Sequence, residues 1–420
     1  DGPDTVGPNA TNVDLRTTSG DDTINGTSDF GSSSATTFES ADEIDGGAGT
    51  DRLNLNVVND TGGNGQDRSV APQIDAVENV FIRNTNNDGQ GGTTGADSFL
   101  FDANSTSGLE QLWSRGASQN SETGVSGLDS LDVTVGLRNT NELFAIEFSD
   151  SAVNASDDSV DVIAEDGSSA DLAIGGNSSE AVETLNVTST GASGNNINLD
   201  DGTTHDQLNS NVGVTTVNVG GDQDFTLNDN GAGSATATNN LRVVDASGEA
   251  GTDPLNGNLT VVLGDVDTTV SGGVSLTGAG GDDTLTIENI TTAGNNLDNS
   301  NASLEIVGGT GDDTVNAGGL LQNVDANADV SIDGGDGTDT LSVDNTGGKD
   351  PLDAANISAG DITNIETLSV DFSVSDTVDN VDSTVVGGVE TVSVDSSHAS
   401  GKSHTIDIAQ GVNLIHTASS

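Results

Sequence analysis

The chain has no cysteine, no methionine and no tyrosine, and only one tryptophan and five prolines in 420 residues. Without cysteine, no disulfide can staple the fold. Without methionine, the chain cannot begin at its own initiator, which implies that processing or a missing segment precedes Asp1. No apolar run approaches the roughly eighteen residues that a helical membrane span needs, so membrane insertion is not expected. Nothing at Asp1 resembles a signal peptide, and export is expected to rely on a lost leader or on a signal elsewhere. Basic residues are also scarce. Nine face 68 acidic residues, for a net charge of -59, and the only lysines are Lys349 and Lys402. Contact of this surface with a phosphate backbone or an anionic lipid would be repulsive, so nucleic acid is not expected as a partner. A surface this acidic needs cations.

What is present is selective. Of the acidic residues 53 are Asp and 15 are Glu. Glu is the better helix former, whereas Asp favours turns, where its short side chain reaches the backbone or a bound ion. With 56 Gly and many Asn and Thr, this composition describes a turn-rich chain carrying hard oxygen ligands. Low aromatic content and high net charge otherwise mark disorder. Against that, charged residues make up only 18% of the chain and the apolar ones sit in short, regular alternations.

Two patterns recur. One is a short strand that often carries Glu: Val77-Glu78-Asn79-Val80, Val182-Glu183-Thr184-Leu185, Ile365-Glu366-Thr367-Leu368 and Val389-Glu390-Thr391-Val392. Its β-branched and Leu positions alternate with polar ones, as expected for a half-buried strand. The other is a Gly-Asp turn that leads into a strand. It occupies residues 46–54, 308–316 and 334–342, with a near copy at 278–286 that departs only in Ala279. Weaker echoes centre on Asp22, Asp97, Asp158, Asp171 and Asp206.

The turns recur at intervals of twenty to thirty residues, which suggests solenoid coils of two or three short strands each. The expected fold is therefore all-β, a parallel β-helix or β-solenoid, with an array of β-sandwich domains as the alternative. Helix is nearly absent, and only Leu109 to Trp113 suggests a short turn of it. Eight of nine Phe and the Trp precede residue 226, so the later part must pack with Val, Leu and Ile. This divides the chain into an aromatic-bearing β-rich region, 1–245, and a region of Gly-Asp turns, 255–420.

The turn pattern has a physical reason. Glycines permit positive φ and bring carbonyl oxygens inward, the Asp carboxylate closes on a cation held by those carbonyls, and the aliphatic residue two places later anchors the next strand. The pattern G-G-x-G-x-D-x-U-x, with U a large aliphatic residue, resembles the nonapeptide of RTX proteins. In that family successive turns share calcium ions between Asp and backbone carbonyls. Carried over, the resemblance makes Asp51, Asp283, Asp313 and Asp339 the carboxylate ligands of several Ca2+ ions. Gly46, Gly308 and Gly334 would begin the turns that supply carbonyls. The copies here are isolated rather than back to back. Coil stacking must bring them together, or each site must recruit Asp22, Asp45, Asp282, Asp312, Asp333 or Asp336, since calcium takes six to eight oxygens.

Isolated nonapeptides, V-E-T-V-type strands and a cysteine-free, Thr/Asn/Gly/Ala-rich texture together look like RTX-containing bacterial S-layer proteins. That resemblance implies type I secretion, an extracellular location at the cell surface and calcium-dependent self-assembly into a lattice or filament. The partners it implies are further copies of the chain and calcium ions, with cell-surface polysaccharide as another candidate. The alternatives are the repeat region of a secreted adhesin or enzyme, and a salt-adapted archaeal surface glycoprotein. No catalytic motif accompanies the four histidines, neither H-E-x-x-H nor G-x-S-x-G, and no enzyme is expected.

Overall fold

The computed structural model describes residues 4–5, 14–31, 35–58, 67–86, 98–119, 121–177, 181–200, 208, 213–229, 241–248, 253–266, 273–290, 303–318, 321, 324, 328–344, 352, 357–372, 378–395 and 403–417. The chain divides into two compact units, Asp1–Val214 and Thr215–Ser420. The division read from aromatic content, near 245–255, falls inside the second unit.

Each unit is a parallel β-solenoid, and every strand pairing described within each unit is parallel. Sandwich domains pair their strands antiparallel, so the sandwich alternative is set aside. In the first unit one sheet runs Asp4–Thr5, Thr23–Asp29, Arg52–Val58, Asn79–Asn84, Gln111–Arg115, Thr134–Arg138, Ser159–Glu165 and Thr184–Thr190. The facing sheet runs Arg68–Val70, Ser98–Asp102, Glu122–Leu128, Leu143–Phe148, Ser169–Gly176 and Asn195–Leu199. Asp14–Arg16, Glu43–Asp45 and Gln73–Asp75 form a small third sheet.

In the second unit one sheet runs Thr216–Gly221, Val243–Asp245, Val274–Thr277, Ser303–Thr310, Asp329–Asp336 and Ile362–Thr363. The other runs Phe225–Asp229, Leu259–Val266, Thr284–Ile290, Thr314–Gly318, Thr340–Asp344, Thr367–Asp371, Thr391–Asp395 and Asn413–Thr417. Among the described residues no helix is long and apolar enough to cross a membrane.

The alternation in the sequence is the alternation of the strands. In Arg52–Val58, Leu53, Leu55 and Val57 are buried while the residues between them are half-buried on the outer face. Like stacks on like from coil to coil. Leu285, Val315, Leu341, Leu368 and Val392 form one buried column, and Thr284, Thr314, Thr340, Thr367 and Thr391 form the column beside it. Burying one such aliphatic side chain is worth about 1.5–3 kcal/mol, and a column repeats that gain at each coil. The second unit packs mainly with Val, Leu and Ile, as its composition requires; Phe225 and Phe372 are its buried aromatics.

The segment Leu109 to Trp113, read as a turn of helix, instead leads into the strand Gln111–Arg115. Leu112 and Ser114 point inward, while Trp113 stacks on Phe81 of the preceding coil with ring centroids 5.9 Å apart. Cross-coil pairing overrides a weak local preference.

The first unit also buries a carboxylate. Glu142 accepts hydrogen bonds from the hydroxyls of Ser114, Ser121 (3.1 Å) and Thr123 (2.7 Å). Burial pushes its pKa up to about 7, and the three hydroxyl bonds only partly offset that. The native unit therefore keeps this proton after the unfolded chain has lost it near the ordinary value of 4.5. The folded state binds the extra proton, so Glu142 makes stability fall as pH rises from about 4.5 to about 7. The loss across that window is roughly 3 kcal/mol. Trp113, in the same unit, reports the melt. Its fluorescence transition is expected to move down over this window, and Glu142→Gln is expected to flatten that component. An identical pH profile in the variant would dismiss the assignment.

Candidate metal centre

The nonapeptide aspartates stand immediately before their strands, in register. Thr284 pairs with Thr314, Thr314 with Thr340 and Thr340 with Thr367, which stacks Asp283, Asp313, Asp339 and Glu366 in successive coils. The side chains bond coil to coil. The N–H of Leu259 donates to Asp283 Oδ1 (2.7 Å), that of Asp283 to Asp313 Oδ1 (2.8 Å), that of Asp313 to Asp339 Oδ1 (2.8 Å), and that of Asp339 to Glu366 Oε2 (2.8 Å). The first unit repeats the device: Asp22 N–H donates to Asp51 Oδ1 (2.7 Å) and Asp51 N–H to Glu78 Oε2 (2.6 Å). Asp158 N–H donates to Glu183 Oε2 in the same way (2.9 Å).

This uses one carboxylate oxygen. The other, Oδ2, is buried without a hydrogen-bond partner in Asp51, Asp313 and Asp339. In Asp283 it accepts a long bond from Ala279 N–H (3.2 Å). Each Oδ2 looks toward the first glycine of its own turn, where a carbonyl of the following coil also arrives. A Cβ added at Gly308 would collide with Asp313 Oδ2 and Gly334 O. At Gly334 it would meet Asp339 Oδ2 and Asn364 O, at Gly278 Asp283 Oδ2 and Gly308 O, and at Gly46 Asp51 Oδ2 and Ala76 O. The first glycine is thus required by close approach. Positive φ is needed one place later, at Gly47, Gly309 and Gly335.

The electrostatics are unfavourable for bare carboxylates. Burial raises the pKa of Asp283 to about 7, and it raises those of Asp51, Asp313 and Asp339 as well. Backbone N–H bonds oppose this shift, while the acidic neighbour one coil on adds to it: Glu78 for Asp51, Asp313 for Asp283, Asp339 for Asp313 and Glu366 for Asp339. Burial beside another carboxylate favours uptake of a proton or a cation.

The remaining sequence candidates lie elsewhere. Asp282 and Asp312 form an outer, exposed ladder in which Asp312 N–H donates to Asp282 Oδ1 and Thr338 N–H to Asp312 Oδ1, both 2.9 Å. Asp22 turns its carboxylate to Thr18, and those hydrogen bonds lower its pKa; toward Asp51 it offers only its N–H. Asp45 accepts from Gly47 N–H (3.1 Å) and faces Arg16 (3.6 Å). Asp333 accepts from the Asn364 amide (2.7 Å), and Asp336 is exposed at the end of Asp329–Asp336. Among the weak echoes, Asp97 and Asp206 lie outside the described residues.

The carbonyl oxygens of Gly308 and Gly334 lie beside the aspartate Oδ2 of the preceding coil, at Gly278 and Gly308. Glu78, Glu183 and Glu366 lie outside the nonapeptide pattern. They occupy the aspartate position at the end of each run of turns, and their signal is the shared triplet: Glu366-Thr367-Leu368 matches Asp339-Thr340-Leu341.

Comparison with family models, curated proteins and solved structures finds no match for this chain. Among the described residues no group of three or more His, Asp or Glu side chains could by itself hold a metal ion. An ion at these turns would therefore take its oxygens largely from the backbone. The donor set suits that: a buried, unsatisfied carboxylate oxygen and a carbonyl oxygen meet at a glycine, and all the ligand atoms are hard oxygens of the kind calcium prefers.

Proposed function

We propose that the chain is a structural protomer of a calcium-dependent extracellular assembly on a bacterial surface, an S-layer lattice or filament, and that it performs no catalysis. The observation that carries the reading is the buried aspartate column, with unpartnered Oδ2 atoms facing carbonyls of the next coil. Calcium would be held by Asp51, Asp283, Asp313 and Asp339 with Ala76, Gly308, Gly334 and Asn364 carbonyls. Coil stacking supports the RTX-like reading, because it lets isolated nonapeptides complete one another. Copies at -59 each repel, and monovalent salt screens only beyond about 8–10 Å, so close packing calls for ions that bridge as well as screen.

Electron microscopy under three conditions tests this. Ordered polymers are expected in millimolar calcium, monomers in chelator, and monomers in chelator with high sodium chloride. Polymers that form equally in sodium chloride with chelator would remove calcium from the assembly. Their absence in calcium at high protein concentration would favour a secreted repeat module.

A further inference from the structure

Four of the nine basic residues converge on one face of the Asp1–Val214 unit. Arg52, Arg83, Arg115 and Arg138 line a cleft of about 920 Å³ together with Phe81 and Asp166. Coil register builds it. Ser114 pairs with Ile82, which sets Arg115 beside Arg83, and Arg115 pairs with Arg138. Two of the four guanidiniums are engaged. Arg52 lies 4.1 Å over the Phe81 ring and donates to Asn54 Oδ1 (2.8 Å). Arg138 is held by Asp166 (3.1 Å) and Glu165 (3.6 Å). Arg83 and Arg115 are exposed and, among the described residues, enter no ion pair. Two bare guanidiniums on neighbouring strands repel each other unless an anion is shared between them.

We propose that this face holds the outer aspartate ladder of a second copy, Arg83 and Arg115 receiving Asp282 and Asp312. The proposal rests on the assembly reading above and names its contact. An anion matched on charge and spacing lies on the chain's own surface. Asp282 and Asp312 are exposed one coil apart, and each is fixed in direction by a backbone N–H on Oδ1. Both ladders repeat at the spacing of stacked strands, so two forks meet two carboxylates without a register mismatch. Donor and acceptor surfaces differ, so the contact is heterologous and can add copies without closing.

Charge reversal in the full chain tests it, with polymer mass in millimolar calcium followed by sedimentation and electron microscopy. R83E/R115E is expected to raise the concentration at which polymers appear at least about tenfold, with the Trp113 melting transition unchanged. D282R/D312R is expected to do the same, and an equal mixture of the two variants should polymerise where neither does alone. If D282R/D312R does not fold, R83E/R115E decides by itself. Polymerisation of R83E/R115E at the wild-type concentration overturns the contact and leaves the calcium assembly standing. Wild-type protein that never polymerises in calcium overturns both. Retention of polygalacturonate by wild type but not by R83E/R115E, with polymerisation unaffected, assigns the face to an acidic glycan and overturns the self-contact.

Discussion

Excess chelator is expected to lower the melting temperature of the Thr215–Ser420 unit by tens of degrees, or to abolish its transition. Asp283, Asp313 and Asp339 are stacked in successive coils, buried, and raised in pKa by that burial. A ligand that binds only the folded state adds about 2.7 kcal/mol at a hundredfold excess over its dissociation constant, so three such sites give roughly 8 kcal/mol. At about 2–4 °C per kcal/mol for a unit of this size, the shift is of order 20 °C. Calorimetry with calcium and with chelator measures it. Magnesium should restore little, because it demands a tight octahedral cage and gives up its water reluctantly. The only tryptophan lies in the other unit, which carries Asp51 alone of the four nonapeptide aspartates, so Trp113 fluorescence should respond less than the calorimetric trace. Identical traces with and without calcium would refute the metal assignment.

Asp313→Asn is expected to change sign with calcium. An amide keeps an oxygen to accept the Asp283 N–H, removes a charge from the column, and places an N–H2 near Gly334 O. In chelator the variant should therefore be more stable than wild type, by about 1–3 kcal/mol, since a buried polar atom without a partner is replaced by one that can donate. In calcium it should be less stable and bind fewer ions, because the neutral side chain is a poorer ligand. Asp395→Asn, at an exposed position outside the Gly-Asp turns, should show neither effect. Paired melting curves and calorimetric calcium titrations test the crossing. A variant weaker than wild type in both conditions would mean that the Asp313 charge is stabilised by something other than an ion.

Much of this arrangement is legible in the chain before folding. The alternation around Leu53, Val315 and Leu341 specifies half-buried strands, and the recurrence of Gly-Asp turns specifies coils. What could not be read was register. Asp339-Thr340-Leu341 and Glu366-Thr367-Leu368 look like two motifs because one follows glycines and the other a strand. Stacking makes them a single position, with Glu reaching across where the glycine run is absent. The outer ladder of Asp282 and Asp312 is equally hidden, since its hydrogen bonds join residues of different coils. The arginine face is the clearest case. A net charge of -59 argues against any anionic partner, and Arg83 and Arg115 are far apart in sequence. Only pairing of Gln111–Arg115 with Asn79–Asn84 makes them neighbours. Glu142 is hidden for the same reason, because its three hydroxyl partners come from two other strands and the loop between them.

The two oxygens of each inner carboxylate serve different coils. Asp313 Oδ1 is tied to the coil before it, through Asp283 N–H, while Oδ2 faces Gly334 O in the coil after it. An ion seated on Oδ2 is thus fastened to three consecutive coils, like one staple through three sheets of paper. Pulled along its stacking direction, the calcium-loaded unit would resist as a laminate and tear in runs of coils, while the ion-free unit would peel one coil at a time.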